Sequence, residues 1–332
     1  MKAALYTRYG PPDVVRITEV DKPVAGENEV LVKVAATTVN RTDCGYRAAK
    51  PFILRFFTGL RNPKPKRMVL GTEFAGEVEA VGSGVTSFEV GDRVFGYIEG
   101  PFGAHAEYLT TRADASVATM PANSSFEEAA ASTEGSHYAL ANIRAAKISS
   151  GQDVLVNGGT GAIGSAAVQL LKSVGAQVTV VCSTEHVALV ERLGADRVIG
   201  YRATDFTTDD QTYDVVFDAA GKSSFARCKR LLKPKGIYLS TELGPFPQNP
   251  ILALITPLFG GKKVLFPLPK HDQELVEHIK GLVESGAFKP LIDRRYPLEE
   301  IVEAYRYVET GQKVGNVVIT LQDGQPKERI GQ

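Results

Sequence analysis

A glycine-rich turn between a buried strand and a helix constrains the fold of this chain more than any other feature. Residues 154–157 form an apolar run typical of a buried strand, and Gly159, Gly161 and Gly164 follow it with the spacing G-x-G-x-x-G. In that context the glycines permit a tight turn, and the helix that follows offers its first amides to a pyrophosphate. The turn therefore predicts a dinucleotide site; a glycine-rich turn that serves packing alone is the alternative.

The candidate cofactor contacts begin with this turn and continue at the end of the next strand. An NAD site places Asp or Glu about 20 residues beyond the turn, where it holds the ribose hydroxyls. Here that strand ends at Ser183 and Thr184, which favours NADPH (NADP), although helix capping is a second role for both hydroxyls. The candidate basic partners of the extra phosphate are His186, Arg202 and an extended Lys side chain. The turn itself supplies Gly159, Thr160, Gly161, Ala162, Ile163 and Gly164.

Strands and helices alternate on the C-terminal side of residue 126, whereas short strand-like runs with turn signals fill the first third of the chain. Such alternation is typical of a parallel sheet with helices on both faces. We predict a β-rich domain over 1–122, a nucleotide-binding domain over 123–272, and a return to the first domain over 273–332. A final strand over 316–320 belongs to that return. A strand over 263–266 is predicted at the edge of the parallel sheet, where its unpaired backbone groups must be covered by another element or chain.

Composition excludes several classes of protein. Lys+Arg and Asp+Glu both number 38, so no strongly basic face for nucleic acid is expected. The most apolar internal stretch, 251–259, is shorter than the roughly 20 residues that span a bilayer, so no transmembrane segment is expected. Three widely spaced cysteines fit a reducing cytoplasm better than a disulfide scaffold.

Further motifs resemble the medium-chain dehydrogenase/reductase superfamily over nearly the whole chain. They are GTEFAGEV at 71–78, VGDRVFG at 90–96, LGADRVIGY at 193–201, DAAG at 218–221, and Asn40 and Asp43 with Arg47. The resemblance implies an α/β fold in which a GroES-like β-rich barrel domain joins a Rossmann domain with a doubly wound parallel sheet, with the active site between them. It also implies a homodimer through the edge strand, and places Tyr201 among the cofactor contacts.

The resemblance makes zinc the decisive question. Zinc alcohol dehydrogenases of the superfamily carry Cys where Asn40 stands, His where Thr72 stands, and a further Cys near Ser132. Catalytic zinc needs three protein ligands of N, S or O type, and here only Glu73 is of a suitable kind. We therefore predict no metal, and interpret Cys44, next to Asp43, as a small buried hydrophobe.

The pattern Asn-x-x-Asp-x-x-x-Arg resembles the quinone and enone reductases of the superfamily. Without a metal to polarise an oxygen, hydride from a nicotinamide needs an acceptor that is already electron-poor, such as a quinone or an α,β-unsaturated carbonyl. Asn40 and Tyr46 are candidates for stabilising the resulting oxyanion, and Tyr46 is either a proton carrier or an ordinary half-buried aromatic. Asp43 and Arg47, four residues apart, are predicted to pair and to scaffold the site.

The resemblance also implies contacts to the nicotinamide half of the cofactor. Ala220 and Gly221 end a strand at the expected crevice. Ser136, Leu243 and Asn316 are implied to lie near the ring, although Asn316 stands where Lys is common. His137 is interpreted as a structural residue rather than a general acid.

Two apolar stretches, 51–57 and 245–259, are left with three interpretations: contact with a hydrophobic substrate, with a membrane or with a second subunit. The main functional hypothesis is a metal-free NADPH-dependent reductase of a small hydrophobic quinone or enone. The alternatives are a zinc-type alcohol or aldehyde dehydrogenase with other ligands, and a non-enzymatic NADPH-binding protein.

Overall fold

The computed structural model describes residues 1–65, 68–98, 100, 102–270 and 272–321. The first third of the chain and two C-terminal strands form a seven-stranded sheet, with a two-stranded hairpin of β1 and β2 beside it. The strands of these two sheets are β1 (Lys2–Tyr6), β2 (Val15–Glu19), β3 (Glu29–Val39), β4 (Glu73–Val81), β5 (Arg93–Tyr97), β6 (Tyr108–Arg112), β7 (Val117–Thr119), β14 (Ile292–Pro297) and β15 (Asn316–Thr320).

The second sheet has six parallel strands in the order β10-β9-β8-β11-β12-β13, so the chain reverses its direction of travel beside β8. That reversal creates the crevice in which doubly wound sheets bind ligands. This confirms the predicted Rossmann-like sheet and its edge strand near residue 263. The strands are β8 (Asp153–Asn157), β9 (Gln177–Cys182), β10 (Arg197–Gly200), β11 (Tyr213–Asp218), β12 (Leu232–Ser240) and β13 (Lys263–Leu265).

Helices cover the six-stranded sheet and connect it to the other one. Their apolar faces join one large core with the buried strands, which excludes water from both faces of the sheet. None of the helices in the described ranges has the length and apolarity needed to cross a membrane. They are α1 (Arg41–Ala48), α2 (Leu54–Thr58), α3 (Phe126–Ala131), α4 (Thr133–Ala146), α5 (Ala162–Ser173), α6 (Val187–Arg192), α7 (Phe225–Cys228), α8 (Gln248–Ile255), α9 (Gln273–Glu284) and α10 (Ile301–Glu309).

The chain returns to the first sheet at its C-terminal end. β15 pairs antiparallel with β3, in the register Val317 opposite Val39, and β14 lies beyond it at the edge. The strand β14, whose sequence IDRRYP carries three charges, is not among the predicted strands because polar edge strands lack an apolar pattern. The predicted boundaries of the three segments stay a prediction, since the fold alone does not say where each unit ends.

One contact joins the two sheets next to the glycine-rich turn. The amide of Gly315 donates to the carbonyl of Thr160 at 2.7 Å, and Gly315 forms an isolated parallel bridge with Gly161. Gly315 has φ +88°, and a Cβ there would lie 2.2 Å from the carbonyl oxygen of Leu291. A glycine is therefore required at the place where the returning chain passes the turn.

Candidate active site

The glycine-rich turn is shaped to receive a phosphate group. Gly161 is the N-cap of α5 and provides no side-chain cap, so the first amides of this twelve-residue helix have no partner within the helix. A Cβ on Gly164 would lie 2.1 Å from the carbonyl oxygen of Gly158, and one on Gly159 would lie 2.1 Å from Val180 Cγ1. The turn closes only with glycines, and its exposed amides fit a pyrophosphate.

A ring of polar side chains surrounds the end of β9. The hydroxyl of Ser183 donates to Glu185 at 2.9 Å, and Glu185 lies 3.5 Å from Arg202 and 3.8 Å from His186. Thr184 is exposed beside them, and Tyr201 is 54% exposed. The structure thus brings the predicted partners of the cofactor's extra phosphate together. It also places the carboxylate of Glu185 among them, where it accepts a hydrogen bond from the Ser183 hydroxyl.

The C-terminal ends of β8 and β11 meet through a buried hydrogen bond. Asn157 Nδ2 donates to Asp218 Oδ1 at 2.9 Å, and the Ser223 amide donates to Asp218 Oδ2 at 2.8 Å. This network holds the loop that contains Ala220 and Gly221, both partly buried beside the turn. A Cβ added to Gly158 would lie 2.6 Å from Ala220 Cβ, so the two loops are in close contact, as the crevice requires.

The remaining residues predicted to contact the nicotinamide half of the cofactor differ in their burial and in their hydrogen-bond partners. Leu243 is half-buried, and its carbonyl accepts from the amide of Asn249. Ser136 is fully buried in α4 and its hydroxyl donates to the carbonyl of Ser132 at 2.5 Å. The side chain of Asn316 donates to the carbonyl of Leu291 at 3.1 Å. Both polar side chains therefore bond to nearby backbone, which limits their part to shaping the crevice.

Asn40 begins α1 and links it to β4. Its Oδ1 accepts from the amide of Asp43 at 2.9 Å, while the Asp43 carboxylate accepts from the amide of Asn40 at 3.1 Å, which forms a capping box. Its Nδ2 donates to the Thr72 hydroxyl at 2.8 Å, and the side chain is 3% exposed. Both the oxygen and the nitrogen of the Asn40 side-chain amide thus form hydrogen bonds within the protein.

The pairing of Asp43 with Arg47 stays a prediction, and the structure shows further partners for each side chain. Asp43 Oδ1 accepts from the amide of Gly71 at 3.0 Å. The buried guanidinium of Arg47 donates to the carbonyl of Gly10 at 3.0 Å and pairs with Glu309. These contacts tie α1 to Gly71, Gly10 and Glu309, which agrees with the inferred scaffolding role of both residues.

Tyr46 packs edge-on against Phe102, with 4.6 Å between ring centroids, and is half-buried among residues of the first sheet. His137 lies 4.8 Å from the Tyr97 ring, and its Nε2 is 3.0 Å from the carbonyl oxygen of Lys270. These contacts favour the aromatic packing interpretation of Tyr46 and the structural interpretation of His137.

Two buried carboxylates lie between α1, β4 and α4. Glu73 Oε1 accepts from the Thr133 hydroxyl at 2.8 Å and from the amide of Glu134 at 2.7 Å, and Thr38 bonds its other oxygen. Glu134 Oε1 accepts from the Thr42 hydroxyl at 2.7 Å. Burial raises the pKa of both carboxyls, and the nearby charge of Glu73 raises the pKa of Glu134 further.

Lys313 completes this cluster from the returning chain. Its Nζ donates to the carbonyl of Gly315 at 2.6 Å, just before the strand that contacts the turn. Burial lowers the pKa of the Lys313 ammonium, and attraction to Glu134 and Glu73 opposes that shift. The two acids are thus close enough to Lys313 to affect its pKa, and perturbed pKa values of this kind are common at functional sites.

Comparison with known proteins agrees with this architecture. Residues 26–122 match the family model described as alcohol dehydrogenase GroES-like domain, and residues 193–319 match the one described as zinc-binding dehydrogenase. The chain is 34% identical to 2-methylene-furan-3-one reductase of Solanum lycopersicum, over 96% of this chain and 79% of the relative. It is 31% identical to an Arabidopsis thaliana chloroplastic NADPH-dependent alkenal/one oxidoreductase, with the same coverage.

Among solved structures, the quinone oxidoreductase from Coxiella burnetii superposes with a TM-score of 0.87 at 27% identity, over 97% of this chain and 99% of that one. The chain belongs to the quinone and enone oxidoreductase branch of the medium-chain dehydrogenase/reductase superfamily. This confirms the family that the sequence motifs indicate, and a fold with a GroES-like domain beside a Rossmann-like sheet.

The donor set of this medium-chain oxidoreductase does not fit catalytic zinc, although one matched family model is named for zinc binding. Asn40 and Thr72 bond each other, and Ser132 donates to Ala129 within its own helix turn. Glu73 is already bonded by several donors, and no group of three or more His, Cys, Asp or Glu suited to a metal occurs within the described ranges. No step of the reaction is therefore derived through a metal.

Sequence reasoning missed Glu134, Thr42 and Lys313 as members of the site. Ser132 is considered there only as the position of an absent zinc ligand, whereas the structure brings Glu134 next to Thr42 across 92 residues of chain. A local signal that would single out Glu134 is missing, because its neighbours Ser132, Thr133, Ser136 and His137 are polar as well. Lys313 has no such signal, because it precedes the last strand in an ordinary polar turn.

Replacing Gly164 with Ala should disrupt the phosphate turn. The added Cβ would lie 2.1 Å from the Gly158 carbonyl oxygen, so the turn must open, and we expect NADPH binding to weaken by at least about tenfold. Fluorescence titration of NADPH measures the affinity. Gly281→Ala is the control, because a Cβ there meets nothing within 4 Å and should leave the affinity unchanged. Equal affinity in Gly164→Ala and the unaltered protein would contradict the assignment.

Proposed function

We propose that this chain is an NADPH-dependent oxidoreductase that reduces a small hydrophobic quinone or α,β-unsaturated carbonyl without a metal. The observation that carries the proposal is the hydrogen bond between Asn40 and Thr72 beside a turn shaped for a dinucleotide. The names of the Solanum and Arabidopsis relatives support the same chemistry. The compartment that we propose is the cytoplasm, since all three cysteines are free.

NADPH, when bound, supplies a hydride from its nicotinamide ring. The first amides of α5 bind the pyrophosphate, and the crevice between the loops at Gly158 and Ala220 orients the nucleotide. Because a metal is not available to polarise the acceptor, the acceptor must carry its own electron-withdrawing group. This restricts substrates to quinones and conjugated carbonyls, and excludes simple alcohols.

The reduced acceptor is an oxyanion or enolate that needs stabilisation and a proton. Asn40 is a positioning residue, because its amide holds α1 against β4. We assign the same role to Asp43 and Arg47, which fix the two sides of that helix. The Thr42 hydroxyl, bonded to the buried carboxyl of Glu134, is the group of the cluster best placed to hold a proton at the crevice. Tyr46, four residues beyond Thr42 on α1, packs against Phe102 through its ring.

The preference for NADPH rests on the end of β9. Ser183 offers a hydroxyl there, and Arg202 is held 3.5 Å from Glu185, so a guanidinium is available for a 2′-phosphate. Glu185 competes with that phosphate for Ser183 and Arg202, and must turn away when NADPH binds. His186 and Tyr201 complete the proposed pocket.

We propose a homodimer that forms through the open edge of β13. Within the described ranges, that strand pairs only with β12. The helix α8 and the turn after it present Ile251, Leu254, Leu258 and Phe259 to solvent beside the strand. A second copy that extends the sheet would bury these side chains and protect the edge. Light scattering tests this directly, since a monomeric mass at micromolar concentration would contradict it.

A panel of acceptors tests the proposed reaction. With NADPH we expect turnover of benzoquinones, naphthoquinones and medium-chain enones, and none of primary alcohols with NADP, because no metal activates them. Oxidation of NADPH at its absorbance band measures the rates, and metal analysis of the same sample measures zinc. Stoichiometric zinc would favour the alcohol dehydrogenase alternative, and the absence of turnover with every acceptor would favour a non-enzymatic NADPH-binding protein.

Removing the guanidinium of Arg202 should weaken only the phosphorylated cofactor. For Arg202→Gln we expect kcat/KM for NADPH to fall about tenfold with the value for NADH unchanged, because NADH has no 2′-phosphate to pair. Arg192→Gln is the matched control, since Arg192 is exposed on α6 and lies outside the proposed pocket. Equal rates with the two cofactors in the unaltered protein would overturn the cofactor assignment.

A further inference from the structure

Residues 50–64, which we call the aromatic loop, present a cluster of large apolar side chains to solvent. The loop contains the short helix α2 and lies between α1 and β4. The exposed fractions are 63% for Phe52, 57% for Ile53, 64% for Phe56, 63% for Phe57 and 60% for Leu60. Soluble proteins seldom display five such side chains together unless the surface meets a partner.

The loop is built to hold these side chains outward. Thr58 is fully buried on its inner side and hydrogen-bonds the Tyr9 hydroxyl at 2.7 Å, and the Gly59 carbonyl accepts from the same hydroxyl at 2.8 Å. Arg55 lies over the Tyr9 ring at 5.0 Å and over the Phe52 ring at 5.3 Å. Because the polar side of the loop is anchored, the apolar side faces away from the body of the protein.

The charge around this cluster is of one sign. Residues 44–72 contain no Asp or Glu, although the whole chain is neutral, with 38 acids and 38 Lys and Arg. Lys50, Arg61 and Lys64 are exposed, and none of them takes part in an ion pair in the part of the chain that the structure describes. The cations of this segment are Arg47, Lys50, Arg55, Arg61, Lys64, Lys66 and Arg67, of which Lys66 and Arg67 lie outside the described residues.

We propose that the aromatic loop docks on the surface of a bilayer that contains anionic phospholipids. Exposed aromatic and aliphatic side chains enter the boundary between headgroups and acyl chains, while the surrounding cations pair with the lipid charge. A second copy of this chain fits the surface poorly, because a two-fold contact would bring two unpaired cationic clusters together. The inference is independent of the acceptor that the enzyme reduces.

Cosedimentation of the full chain with vesicles tests the proposal. We expect binding to vesicles of phosphatidylcholine mixed with phosphatidylserine, little binding to phosphatidylcholine alone, and release as salt is raised. Removing two cations in Arg61→Gln with Lys64→Gln should weaken binding by roughly 25-fold, since each basic residue contributes about fivefold. Replacing the apolar tip in Phe56→Ser with Phe57→Ser should weaken it by at least about tenfold.

The matched control removes equally exposed apolar groups elsewhere. Leu254→Ser with Leu258→Ser, on and just after α8, should keep vesicle binding within about twofold, because those side chains serve the proposed dimer contact. Thermal unfolding of each variant checks that it is folded. Loss of binding in the α8 variant, unchanged binding in the aromatic-loop variants, equal binding to neutral vesicles, or no binding to either kind would each overturn the proposal.

Discussion

The contact between Gly315 and the glycine-rich turn determines how the two sheets meet. The amide of Gly315 donates to Thr160, and the next residues enter β15, which completes the first sheet. The returning segment thus contacts both sheets, and it meets the six-stranded one at the N-terminus of α5. Because a side chain at Gly315 would collide with Leu291, this approach depends on glycine as strictly as the turn itself does.

The close contact between Gly315 and the glycine-rich turn also positions the candidate active site. It brings Lys313 toward the carboxylates of Glu134 and Glu73, whose elements belong to different parts of the chain. The position that holds zinc in alcohol dehydrogenases is here closed by a neutral hydrogen bond between Asn40 and Thr72. Under the proposed function, proton-bearing side chains beside the nucleotide crevice act without a Lewis acid, and we therefore propose acceptors that need no activation by a metal.

Local patterns predicted much of the fold and less of the site. The apolar strand runs, the G-x-G-x-x-G turn and the predicted edge strand near residue 263 depend on short-range sequence, and the structure has them. Partners of side chains depend on tertiary packing: Arg47 pairs with Glu309, which is 262 residues away in the sequence, and no local spacing predicts that pair. The bond between Thr42 and Glu134 likewise joins residues 92 apart, and no spacing rule indicates it.

Transfer of deuterium from NADPH tests the central claim most directly. The protein, freed of metal by a chelator, is incubated with a medium-chain enone and with NADPH deuterated at the transferred position of C4, and the product is analysed by NMR. The account predicts deuterium on the β-carbon of the saturated ketone, at a rate that added zinc does not raise. A product without deuterium, or a reaction that requires zinc, would contradict it.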